Sequence, residues 1–109
     1  MAFVVAGVPF EDHRVKGAEW KELKPTTPEG HLPVLTINDG LMRTQSSAML
    51  RYAGRLVPEK QLYPDDKAFD IDEVIGILDD MQRAFNPGLW AAMAPKVMGY
   101  PDDFAKTEE

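Results

Sequence analysis

No cysteine occurs among the 109 residues, which excludes disulfides, thiolate metal centres, dithiol redox chemistry and a cysteine nucleophile for the chain as it stands. Histidine is nearly as scarce, and His13 has no partner at metal-ligand spacing, so no metal site is expected. There is no long hydrophobic run either. Met1 to Phe10 is apolar, yet it lacks a positive leading region and is too short to cross a bilayer. A basic face is also missing: the net charge is −6, with 7 Lys/Arg against 6 Asp/Glu in residues 1–56 and 5 against 12 in residues 57–109. An acidic second half argues against nucleic acid or an anionic membrane as partner, and a cytoplasmic protein is the expectation. No internal repeat or low-complexity tract occurs.

With 44% hydrophobic and 28% charged residues, the composition is that of a folded globular chain, long enough for one core and an appendage. The opening Phe3-Val4-Val5-Ala6-Gly7-Val8-Pro9 reads as the end of a helix stopped at Gly7, leading into a strand near Phe10 to Val15. Gly17 to Lys24 reads as a short helical or irregular segment, and the prolines and glycine of Pro25 to Gly30 as a loop. Leu32 to Ile37 forms a strand, Asn38-Asp39-Gly40 a tight turn, and Leu41 to Thr44 the antiparallel return. Met49, Tyr52, Ala53 and Leu56 fall at helical spacing behind Ser46, a candidate N-cap, and Pro58 ends that helix. A second helical stripe runs through Ile71, Val74, Ile75, Leu78 and Phe85 until Asn86-Pro87-Gly88 breaks it. Trp90 to Met98 adds a turn or two interrupted at Pro95, and Phe104 to Glu109 starts another helix.

Two features read as a ligand site. Leu32-Pro33 before a β-branched and apolar run is where a thioredoxin-like fold places a cis-proline, with the backbone of Leu32 turned towards a bound peptide thiol. Gln45-Ser46 at a helix start offers side-chain donors, backbone N–H groups and the positive end of the helix dipole to a carboxylate.

In order and spacing, Gly7-Val8-Pro9-Phe10-Glu11-Asp12, Glu19-Trp20, Leu23-Lys24-Pro25, Leu32-Pro33-Val34-Leu35, Gln45-Ser46 and Arg51-Tyr52 resemble the glutathione transferases, the sigma class in particular, over roughly residues 4 to 85. The resemblance implies an α/β (α+β) chain: a partial thioredoxin-like, glutathione-binding domain over 1–57, a linker over 58–67, and over 68–109 the start of an all-helical domain. It implies glutathione as co-substrate and no metal, a small electrophile as second substrate, detoxification as the setting, and a homodimer for the complete protein. Gln45 and Ser46 then hold the γ-glutamyl carboxylate, Leu32 with Pro33 the cysteinyl part, and Trp20 and Lys24 the glycyl carboxylate. His31 stands where the family has Gln or Lys, which implies a weaker and pH-dependent hold. Asp80 matches the acid that reaches the ligand amine in the neighbouring subunit.

Each residue has a plainer counterpart: Trp20 as a core or surface aromatic, Lys24 as a solvated lysine, His31 as a loop histidine, Gln45-Ser46 as a capping sequence and Asp80 as part of a solvated helix face. The family activates the thiol with a hydroxyl, Tyr in the sigma class, on a first strand that has no match here. Tyr52, Tyr63 and Tyr100 lie elsewhere in the pattern, so no catalytic residue is assigned and the chain reads as a fragment or truncated product. Two classes of function remain open from sequence: a transferase, and a non-catalytic binding, dimerisation or structural module.

Overall fold

The structure, a computed structural model, describes residues 1–38 and 40–97, with side chains placed through residue 89. It divides into two units, Met1–Ile71 and a second from Asp72 onward. The first unit holds helices α1 (Ala2–Ala6), α2 (Gly17–Leu23) and α3 (Ser46–Arg55), strands β1 (Leu35–Thr36) and β2 (Met42–Arg43), and three 3₁₀ turns at Lys24–Thr26, Pro58–Lys60 and Asp65–Lys67. Helix α4 (Ala68–Val97) begins at its end and runs on through the second unit.

Helix α1 ends as the sequence leads one to expect. Gly7 adopts φ 72°, ψ 27°, a left-handed conformation that costs a residue without Cβ little. This lets the Gly7 N–H reach Val4 O at 3.1 Å and the Val8 N–H reach Phe3 O at 3.2 Å, satisfying carbonyls that the last turn would otherwise leave open. Beyond the cap, the Phe10 ring returns to within 5.6 Å of Phe3. The ammonium of Lys60, fifty-five positions away, donates to Val5 O at 3.1 Å at the negative end of this helix.

The buried alanines Ala6 and Ala53 lie on α1 and α3, which pack together. Small side chains allow the two backbones a close approach, so the stripe expected on α3 is narrower than its sequence suggests: Ala53 is buried, Met49 and Leu56 are half-buried, and Tyr52 remains exposed. After α3 the chain folds back on it. A Cβ added to Gly54 would stand 2.9 Å from Tyr63 Cβ, and the Arg55 guanidinium lies 4.8 Å above the Tyr63 ring.

The hairpin pairs Leu35 with Arg43 and Thr36 with Met42, antiparallel as expected but shorter at both ends. Its turn is closed by the Gly40 N–H to Ile37 O at 2.7 Å, and Asp39 lies outside the described residues. The strand expected over Phe10 to Val15 is not formed. A strand requires a lateral partner for its N–H and C=O groups, and the one ladder among the described residues is that of β1 with β2. Side chains there pair locally instead, Arg14 with Asp12 at 2.9 Å and His13 with Glu19 at 2.7 Å.

The breaks expected at Asn86-Pro87-Gly88 and at Pro95 are also not formed, since α4 stays helical through both to Val97. An interior proline removes one hydrogen bond at a cost of about 3 kcal/mol. Leu89, Ala91, Ala92, Met93 and Ala94 are good helix formers that propagate the helix past it. The helix start expected at Phe104 lies outside the described residues.

Gly54→Ala tests the packing behind α3. In an open helix this change gains up to about 1 kcal/mol. Here the contact with Tyr63 reverses the sign, with an expected loss on the order of 1–3 kcal/mol in urea unfolding.

Candidate functional site

The site is built from the loop between α2 and β1 and from the start of α3. Threonines fasten the loop to the end of α2: Thr26 Oγ1 donates to Leu23 O at 2.6 Å and Thr27 Oγ1 to Lys24 O at 2.8 Å. The Thr27 hydroxyl in turn accepts the Gly30 N–H at 3.1 Å. These bonds bend residues 24–30 into a ring that returns Gly30 to Lys24, and a Cβ at Gly30 would lie 3.7 Å from Lys24 Cε. Trp20, half-buried on α2, lies one turn before Lys24, the C-cap of that helix, whose N–H donates to Trp20 O.

The Leu32-Pro33 peptide is cis. Leu32 is 47% exposed, as Leu41 before β2 is at 48%.

Gln45, not Ser46, caps α3, and Ser46 is the first helical residue. The expectation of a serine cap fails because the chain enters the helix one residue earlier, through a Gln45 backbone at φ 73°, ψ 103°. A positive φ in a residue with a Cβ costs on the order of 1–3 kcal/mol and persists only where the surroundings impose it. What holds Gln45 here includes its own backbone and side chain: Gln45 O accepts the Met49 N–H at 3.1 Å, and Gln45 Nε2 donates to Glu29 Oε2 at 2.8 Å. His31 Nε2 lies 4.0 Å from the same Glu29 oxygen.

Lys24, His31, Leu32, Pro33, Gln45 and Ser46 therefore belong to one region, joined through Glu29 and Gly30. Glu29 is the residue that sequence reasoning passed over. Its signal was weak, a single carboxylate before Gly30 in a loop, since its partner is sixteen positions away. Asp80 lies on α4 in the second unit, exposed and paired with Arg83 at 3.4 Å. Among the described residues no group of three or more His, Cys, Asp or Glu is arranged to hold a metal, and no helix is long and apolar enough to cross a membrane.

No family model matches the sequence. Individual relatives do. The chain is 40% identical over 86 residues to glutathione S-transferase 2 of Manduca sexta, an alignment covering 77% of this chain and 40% of that protein. It is 37% identical over 83 residues to hematopoietic prostaglandin D synthase of Gallus gallus, covering 76% and 41%. With glutathione S-transferase 2 of Caenorhabditis elegans it shares 34% over 100 residues, covering 92% and 50%. Over three quarters of its length or more, the chain is similar to proteins named glutathione S-transferase or prostaglandin D synthase.

The chain spans about two fifths to one half of the length of these curated relatives. Its mixture of helices with a small antiparallel sheet is consistent with the thioredoxin-like fold of a glutathione S-transferase. The relatives' names do not favour a non-catalytic module for this transferase-like chain.

Gln45→Gly separates the two roles of the position. Glycine accepts the positive φ, so the thermal midpoint is expected to stay level or rise despite the added chain entropy. Glutathione affinity measured by calorimetry is expected to fall, and a parallel fall in both would mean that Gln45 is structural.

Proposed function

We propose that this chain is the glutathione-binding part of a sigma-class-like glutathione S-transferase, which in its complete form joins the glutathione thiol to a small electrophile. The observation that carries the reading is the β1–β2 hairpin, whose register sets the Leu32-Pro33 segment before β1 beside the Gln45-Ser46 start of α3 after β2, with Gln45 Nε2 bonded to Glu29 Oε2 at 2.8 Å. A helix N-terminus favours an anion through its outward N–H groups and its dipole. Ser46 and Gln45 take the γ-glutamyl carboxylate, and the Leu32 backbone takes the cysteinyl part. Lys24 and Trp20 take the glycyl carboxylate, as a point charge and an indole N–H donor respectively, and His31 adds a ring N–H. The similarity to named transferases supports the same chemistry.

In this reading residues 1–57 form the glutathione-binding domain, 58–67 a linker and 68–109 the start of the helical domain. The protein acts in the cytoplasm as a homodimer in which Asp80 reaches the ligand amine of the other subunit. Glutathione is a co-substrate: its thiol gives up a proton, and the thiolate forms a carbon–sulfur bond while the electrophile's leaving group departs with its electron pair or, in an addition, while the displaced π pair takes up a proton.

Ser46→Ala is the direct test. Loss of its hydrogen bond to a carboxylate is expected to weaken glutathione binding by on the order of 1–3 kcal/mol in isothermal titration, with the fold unchanged by circular dichroism. Equal affinity would remove Ser46 from the site.

A further inference from the structure

In the proposed site Lys24 holds a carboxylate from an exposed position, with its ammonium at the end of a long flexible stem. Such a side chain gives up binding energy to conformational entropy unless its surroundings confine it. The backbone of Lys24 is pinned through both of its polar groups. Its N–H donates to Trp20 O, and its carbonyl accepts the Thr27 hydroxyl at 2.8 Å and the Thr27 N–H at 3.3 Å. The stem runs beside Gly30, where an added Cβ would stand 3.7 Å from Lys24 Cε and 4.0 Å from Cγ. Gly30 takes φ 72°, and its N–H is held by the same Thr27 hydroxyl at 3.1 Å. One hydroxyl therefore fixes both the root of the lysine and the stretch of backbone along which its stem lies.

We propose that Thr27 is a positioning residue, whose hydroxyl confines the Lys24 ammonium to the place where it meets the glycyl carboxylate. A hydroxyl can donate and accept at once, and both capacities are used here. The bond to Lys24 O closes the turn after α2, and the bond from Gly30 N–H sets where the chain leaves that turn towards Leu32-Pro33. The spacing between the carboxylate end of the site and its thiol end is thus set inside one short loop. The proposal rests on the glutathione reading, and within it on the role of Lys24.

The experiment is calorimetric titration of the wild-type chain, T27V and T27S with two probes, glutathione and its C-terminal carboxamide, which lacks the glycyl carboxylate charge. Valine keeps the β-branched shape that suits the extended Thr27 backbone and removes the hydroxyl, whereas serine retains it. T27A removes the hydroxyl equally if circular dichroism shows that the valine variant does not fold. Wild type is expected to prefer glutathione by about tenfold, the low end for a hydrogen bond to a charged group. T27V is expected to lose most of that preference through weaker glutathione binding, with affinity for the carboxamide undiminished, and T27S is expected to keep it. Equal weakening of both probes in T27V would overturn the proposal, because the hydroxyl would then support the loop as a whole. So would a T27V chain that discriminates as wild type does, or a T27S chain that behaves like T27V. In these cases glutathione still binds and the underlying reading stands. A wild type that binds both probes alike overturns the proposal and removes Lys24 from the site, and one that binds neither overturns the glutathione reading with it.

Discussion

Helix α3 can offer its N-terminus to a ligand only while its other face is held, and the packing of α1 on α3 provides that hold. Ala6 and Ala53 are the buried apolar residues of the first unit, one on each helix. Two alanines bury little area, so the contact owes more to close backbone approach than to hydrophobic surface. Its surroundings reinforce the placement: Gly7 ends α1 sharply, Lys60 donates to Val5 O near its end, and Gly54 lets Tyr63 settle against α3. A side chain at Gly54 would press on Tyr63 and so on the helix that carries Gln45 and Ser46.

The site end of α3 is governed by a second constraint, the reversal at Gln45. A non-glycine residue at φ 73° is locally unfavourable, and here its side chain is tied to a loop sixteen positions earlier. The loop is itself stiffened by Thr26 and Thr27, whose hydroxyls satisfy the carbonyls at the end of α2. The result is a small polar surface in which donors from α3, a lysine, a histidine and a carboxylate face solvent together. By contrast, the remaining ion pairs, such as Arg14 with Asp12 and Arg83 with Asp80, are exposed and contribute little to stability.

Much of this was legible from residue order. Gly7 followed by Pro9 marked the helix stop, Leu32-Pro33 the cis peptide, and Asn38 to Gly40 the hairpin turn. The errors share one cause, which is that local propensity was asked to decide questions of pairing or propagation. Phe10 to Val15 has strand-like residues but no lateral partner among the described strands. Pro87 is a helix breaker in isolation, yet the good helix formers after it carry α4 onward.

The sequence by itself determined part of the chemistry open to this chain: without cysteine it has no thiol of its own, and Gln45-Ser46 at a helix start places outward backbone N–H groups there. The helix stop at Gly7 and the turn at Gly40 were equally its own, because they depend on the φ preferences of single residues. Only the tertiary structure decided which residue caps α3, which groups gather around Glu29, and how close α3 approaches α1. Those depend on contacts between residues sixteen to fifty-five positions apart, and no local pattern encodes a contact at that distance.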